Sequence, residues 1–276
     1  LGDGPRGVAD LRPAAHAWAG EGVTPYFQQD SVTIYHGACV DVLATMAPRS
    51  VKLIITDPPY TERVHAGQSK GLRGKHNKQA KHEIDFAPIS DDMLDGAFSA
   101  MSRVASRWVI ATTAFHHAAA LYENPPSGLH SVRTGVWVKI GPMPQMTGDR
   151  PAQGWEAIAM LHADDARLRW NGGGKAAVYT HRHESRGEYP TQKPEPLIND
   201  FISDFADPGD DIIDPFMGSG TTLMCAWKRG HKAIGCDIRE AACEIAAKRI
   251  EQAMRQGRMP FAAPAPTKKD QTGLAF

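Results

Sequence analysis

The 276 residues carry 31 Lys+Arg against 31 Asp+Glu, so the formal net charge is zero. With 42% apolar and 22% charged residues, the composition excludes a globally disordered chain and a histone-like polycation, but not a local nucleic-acid surface. Four cysteines without a C-x-x-C pair argue against a zinc ribbon or a disulfide framework, and no metal is expected. No run of 18 apolar residues and no basic-then-apolar leader is present, so the expectation is a cytoplasmic protein with reduced thiols and no membrane span.

In chain order, residues 1–30 are rich in Gly, Pro and Ala and read as an extended arm. Val32 to Tyr35 reads as a strand and Cys39 to Met46 as a short helix. Val51 to Thr56 (VKLIIT) is an apolar run that fits a buried parallel strand, and it leads straight into Asp57-Pro58-Pro59-Tyr60. Residues 61–85 read as a mobile basic loop; within 61–82, Arg63, Lys70, Arg73, Lys75, Lys78 and Lys81 stand against Glu62 alone. A partnerless solvated loop is the plainer reading of that stretch. A helix follows over 90–104, then a strand over Trp108 to Thr112 and a helix over His116 to Tyr122. Val132 to Ile140 and Ala157 to Leu161 are further strands.

Residues 163–188 hold Arg167, Arg169, Trp170, Asn171, Lys175 and Arg182 among glycines. Arg and Lys there would suit groove or phosphate contacts, although a surface cation is the plainer reading of each. Leu197 to Phe205 is an amphipathic helix, and Asp211 to Asp214 a strand. A helix spans about Thr221 to Arg229 with Gly230 as its C′ residue. Ala233 to Asp237 is a strand, Ala241 to Met254 a helix, and 256–276 a tail. Seven strands alternating with helices predict an α/β fold with a parallel sheet. The acids are segregated: residues 195–214 hold seven of them and no Lys or Arg.

Two loops carry chemistry. In Asp214-Pro215-Phe216-Met217-Gly218-Ser219-Gly220-Thr221-Thr222 a strand ends, glycines turn, and a helix begins. Glycines admit a ligand close to the backbone, and the helix offers unpaired N–H groups. A P-loop would need Lys where Thr221 stands, so an ATPase is disfavoured. Asp214 suits a ligand with an ammonium group, and Asp237, at the next strand end, suits ribose hydroxyls. S-adenosylmethionine meets both demands; a structural turn is the plainer alternative. In the second loop, Asp57 and the Pro58 carbonyl can accept the two protons of an exocyclic amino group. Pro nitrogens offer no competing donor. Tyr60 can stack on the attached base, and a weakly nucleophilic amine needs this polarisation and positioning.

These motifs resemble those of the β class of S-adenosylmethionine-dependent DNA amino-methyltransferases. TDPPY at 56–60 is similar to their catalytic motif, DPFMGSGTT at 214–222 to their cofactor motif, and Tyr189-Pro190-Thr191-Gln192-Lys193-Pro194 to the segment before it. AIGCDI at 233–238 looks like their second cofactor strand. The resemblance implies a Rossmann-like fold with a mixed seven-stranded sheet, and a catalytic half (31–162) before a cofactor half (189–255). A small inserted recognition segment (163–188) separates the two halves. It implies methyl transfer to a flipped base in double-stranded DNA by a chain that dimerises. Asp57, Pro58, Pro59 and Tyr60 are then catalytic. Thr191 and Lys193 hold the methionine end of the cofactor, and Phe216, Gly218, Ser219, Gly220 and Thr221 wall it. DPPY is the adenine-N6 form; cytosine-N4, an RNA base and a non-catalytic binding module are the alternatives. Three positions depart from the pattern: Ala38 follows Gly37 where an acid is frequent, Tyr189 replaces the usual His, and Ala242 and Cys243 lie where an aromatic is common.

Overall fold

The computed structural model describes residues 23–59, 89–142, 145–146, 148–182 and 192–257. Arm residues 1–22, the whole basic loop, Tyr60, Thr191 and tail residues 258–276 lie outside the described residues.

The parallel strands are continuous apolar runs because both of their faces are covered. In β3 (Val51–Thr56), Leu53 and Ile55 enter one core while Val51 and Ile54 enter the other. The same division holds for Ile212 and Ile213 of β8 (Asp211–Asp214) and for Ala233 and Ile234 of β9 (Lys232–Asp237). One face is covered by α1 (Cys39–Ala44), α2 (Asp91–Val104) and α3 (Phe115–Glu123). The other is covered by α4 (Glu195–Phe205), α5 (Thr221–Lys228) and α6 (Glu240–Gln256). Local chemistry sets the helix ends. Ser90 Oγ accepts from the Met93 amide at the start of α2, and Gly230, at φ 83°, ends α5.

The remaining strands are β1 (Phe27–Gln29), β2 (Val32–His36), β4 (Ala105–Thr113), β5 (Leu129–Ile140), β6 (Trp155–Ala163) and β7 (Val178–Arg182). All nine form one sheet in the order β1-β2-β9-β8-β3-β4-β6-β5-β7. The block from β2 to β4 is parallel, and β6 runs antiparallel to both β4 and β5. The mixed α/β fold agrees with the expectation; the strand number is corrected from seven to nine.

Both extra strands lie at edges. Asp30, in the left-handed region at φ 50°, turns β1 back onto β2, and its carboxylate accepts from Trp227 Nε1 at 2.7 Å. β7 lies in the segment expected as an insert, yet it pairs in parallel with β5 and belongs to the main sheet. Its Tyr179 is buried against Phe201, and the hydroxyl donates to Asp204 at 2.9 Å. All four cysteines are buried free thiols, and burial raises the pKa of each. No helix among the described residues is long and apolar enough to cross a membrane.

Candidate active site

Strand order reverses direction between β8 and β3, and a crevice beyond the carboxyl ends of strands at such a point is where ligands bind in open α/β sheets. Three carboxylates stand there: Asp57 just past β3, Asp214 at the end of β8, and Asp237 at the end of β9.

Asp57 is held from two sides. Thr112 Oγ1, near the end of β4, donates to its Oδ1 at 2.8 Å, and Lys193 Nζ donates to its Oδ2 at 2.6 Å. The side chain keeps 30% of its accessibility, so part of the carboxylate still faces the crevice. Loss of water raises its pKa; Lys193 opposes that rise and Glu156 adds to it. Pro58 is buried and Pro59 half-buried, so the turn after Asp57 is firmly seated.

The glycine loop is packed hard against the sheet. The Met217 amide donates to the Cys236 carbonyl at 3.1 Å. A Cβ on Gly235 would stand 2.7 Å from Met217 Sδ, so the Met217 and Leu223 side chains pack directly on the bare backbone of β9. Gly220, at φ 75°, abuts Ala246 of α6. Behind the loop, Arg249 Nη1 donates to the Ser219 carbonyl at 2.6 Å and to Thr221 Oγ1 at 3.2 Å. Ser219 and Thr221 are buried toward that arginine, whereas Phe216 and Gly218 are half-exposed. The Gly218 amide donates to Asp237 Oδ2 at 3.2 Å, and the Arg239 amide to Oδ1 at 2.9 Å. The Arg239 side chain makes longer contacts to the same carboxylate, at 3.3 and 3.4 Å. A carboxylate has about four acceptor directions, and two of those at Asp237 are taken only by the longer Arg239 side-chain contacts, which a diol would have to displace. The close-lying loop, the half-exposed Phe216 and the strand-end acid together fit an adenosine-bearing ligand.

One expected role is corrected. Asp214 does not face a ligand: it is 4% exposed and accepts from the Phe216 amide and Thr222, so it braces the loop from beneath. Burial pushes its carboxyl up to about 7 despite those bonds. Lys193, expected at the methionine end of a cofactor, contacts both Asp57 and Glu156.

The cations named for DNA contact divide. Arg167 and Arg169 are exposed, but they follow β6, whose carboxyl end lies at the amino-terminal edge of the parallel strands. The Arg169 carbonyl accepts from Trp108 Nε1, and Trp108 pairs with Leu53, four residues before Asp57. Arg169 also lies 3.3 Å from Asp207. These two arginines are therefore not brought to the crevice. Arg182, exposed at the carboxyl end of β7, is on the same edge as Asp57. Tyr60, Thr191, Arg63, Lys70, Arg73, Lys75 and Lys78 lie outside the described residues.

Sequence reasoning missed Glu156, Lys139 and Trp137, which line the site from β6 and β5. The available signal was a carboxylate at the head of a strand that is otherwise apolar as far as Leu161.

A family model described as DNA methylase (N6_N4_Mtase) matches residues 51–248. Type II methyltransferase M2.DpnII of Streptococcus pneumoniae is 26% identical over 259 residues, covering 82% of this chain and 92% of that protein. Type II methyltransferase M.HinfI of Haemophilus influenzae is 24% identical over 250 residues, covering 80% and 68%. Among solved structures, the M1.HpyAVI–SAM complex superposes with a TM-score of 0.59 at 21% identity, covering 79% of this chain and 99% of that one. The cytosine-N4-specific PvuII DNA methyltransferase superposes with a TM-score of 0.62 at 14% identity, covering 85% and 95%. At these identities, the structural likenesses speak to the fold.

Proposed function

The chain belongs to the DNA methylase family, and from that premise we propose that it methylates the N6 amino group of a flipped adenine in double-stranded DNA, with S-adenosylmethionine as donor. The observation that carries this reading is the Asp57 carboxylate, oriented by Thr112 and Lys193 and open to a crevice that the glycine loop also borders. In the proposal Phe216, the Gly218 backbone and Asp237 hold the adenosine part of the donor. When bound, the donor supplies a methyl group made electrophilic by its sulfonium.

The work left to the chain is to make an aniline-like nitrogen reactive. Asp57 accepts a hydrogen bond from the amino group, and the Pro58 carbonyl accepts the second. Both bonds turn the nitrogen lone pair outward, toward the donor side of the crevice. As the nitrogen gains the methyl, the methyl–sulfur bond of the donor would break to leave a neutral thioether, and the nitrogen would shed one proton to water while the Asp57 carboxylate stabilises the charge that develops. Tyr60 is proposed to stack on the flipped base. The proposal extends to a cytoplasmic homodimer, with Arg182 and the basic loop meeting phosphate. DNA affinity should then fall with added salt.

The test pairs nucleoside mass spectrometry with donor binding. Wild-type protein should form N6-methyladenine in unmethylated genomic DNA. Asp57→Ala should abolish it while S-adenosylmethionine affinity stays within about threefold, since Asp57 acts on the amine. N4-methylcytosine as the product would overturn the base assignment, and normal methylation by Asp57→Ala would overturn the mechanism. A monomeric mass by light scattering at a fully active concentration would overturn the dimer.

A further inference from the structure

Behind Asp57 and the Lys193 that orients it lie two charges in a row, Glu156 and Lys139, that the reaction, as proposed, leaves unused. Glu156 sits at the head of β6 with only 11% of its side chain accessible. Its Oε1 accepts from Lys139 Nζ of β5 at 2.6 Å, and its Oε2 lies 3.3 Å from Lys193 Nζ. The same Lys193 ammonium is 2.6 Å from Asp57 Oδ2. Trp137, the cross-strand partner of Glu156, walls the row, its ring centroid 5.1 Å from Lys139 Nζ and 5.9 Å from Lys193 Nζ. The order is Lys139, Glu156, Lys193, Asp57, with charge alternating along it. Each member comes from a different segment, so the sheet itself fixes their spacing.

We propose that Glu156 is a positioning residue: it shares the Lys193 ammonium with Asp57 and thereby keeps the Asp57 carboxylate a strong acceptor for the substrate amino group. The inference rests on the reading of Asp57 as that acceptor. An ammonium paired with Asp57 alone would be drawn wholly onto it, occupying its lone pairs and weakening it as an acceptor. A second carboxylate on the far side of Nζ divides the attraction, and Lys139 limits how far Glu156 can pull.

Asp57 is faced by Thr112 from β4, Lys193 from the segment before α4, Glu156 from β6 and Asp214 from β8. Glu156 is faced by Lys139 and Lys193; burial would raise its carboxyl, but the two lysines pull it down to about 2. It therefore stays ionised wherever activity is measured. Glu156 raises the Asp57 carboxyl and Lys193 lowers it. Neutralising Glu156 should therefore lower Asp57. Neutralising Lys139 frees Glu156 to draw Lys193 away and should raise Asp57.

The experiment is kcat against pH for wild type, Glu156→Gln, Lys139→Gln and Glu156→Asp, with S-adenosylmethionine and unmethylated genomic DNA. In Glu156→Gln, kcat should fall on the order of tenfold, the usual scale for a supporting side chain, and the acid limb should move to lower pH. In Lys139→Gln the limb should move to higher pH. Glu156→Asp, which keeps the charge, should leave the limb in place. Donor affinity should change by less than about twofold in all three. A merely structural role would lower activity and melting temperature together without opposed shifts, and that result, or unmoved limbs, overturns the proposal. If Glu156→Gln fails to fold, Lys139→Gln decides by the direction of its shift. A wild-type protein that methylates no DNA overturns the functional reading and this inference with it; an active wild type with unmoved limbs overturns this inference alone.

Discussion

Replacing Gly220 by alanine separates two effects that the glycine loop combines. Gly220 sits at φ 75°, where an L side chain costs about 1–2 kcal/mol. Its new Cβ would also stand 2.8 Å from Ala246 Cβ and 3.3 Å from Ala246 Cα. Neither atom is the end of a flexible chain, so α6 or the loop must move, and overpacking of this kind costs about 1–3 kcal/mol. Gly230 is the matched control. Its φ is 83°, and a Cβ there would meet nothing within 4 Å. Gly220→Ala should therefore lose about 2–5 kcal/mol and Gly230→Ala about 1–2 kcal/mol. At about 2–4 °C per kcal/mol for a domain of this size, thermal melts will resolve the two, and urea midpoints at constant slope check that both unfold from the same compact state. A shifted loop also moves Phe216 and the Gly218 amide that braces Asp237. S-adenosylmethionine affinity should fall in Gly220→Ala and hold in Gly230→Ala. Equal destabilisation by the two substitutions would refute the close approach of loop and α6.

Asp214→Asn should flatten the pH dependence of stability. Burial raises the Asp214 carboxyl from 3.8 to about 7, so the folded chain holds its proton more tightly than the unfolded one. The stability this gives is full below about pH 4 and lost as pH rises through about 7, some 4 kcal/mol across the window. Wild-type and variant melting curves that stay parallel from pH 4 to 8 would contradict it. Arg107→Met should destabilise by about 3 kcal/mol without changing donor affinity. Arg107 Nη1 lies 2.9 Å from Asp207 and 3.0 Å from Asp210, and its removal leaves two largely buried acids short of a cation. A loss below about 1 kcal/mol, read by urea denaturation, would mean that this buried cluster behaves as a surface one.

The legibility of the fold followed burial. The seven strands read from sequence are apolar runs with at least one face in a core, so their own residues announce them. β1 and β7 could not announce themselves. Phe27–Gln29 has no fully buried side chain, and Val178–Arg182 has one, Tyr179. An edge strand of this kind is specified by its neighbour's unpaired backbone and by one anchor. Here the anchors are Asp30 at the turn with Trp227, and the Tyr179 hydroxyl on Asp204. Each joins residues far apart in sequence, which no local pattern can reveal.

The site divides in the same way. Asp57 and the glycine loop were legible because each is a contiguous motif whose chemistry lies in adjacent residues. Lys193 stands 136 positions from Asp57, and Glu156 reaches the same ammonium from a third strand, so their association is a product of topology. The acid-only stretch 195–214 follows this logic and changes the meaning of the zero net charge. Its carboxylates meet the chain's own cations: Glu195 meets Lys228, Asp200 meets His181 and Lys175, Asp204 meets Lys175, and Asp207 meets Arg107 and Arg169. This acid-only stretch is therefore answered by cations of the fold itself, from the segment around β7, from β4 and from α5. Cations engaged in that way at the amino-terminal edge are poorly placed to meet phosphate beside Asp57. Of the three arginines singled out after β6, Arg182 alone lies on the edge of the sheet that carries Asp57.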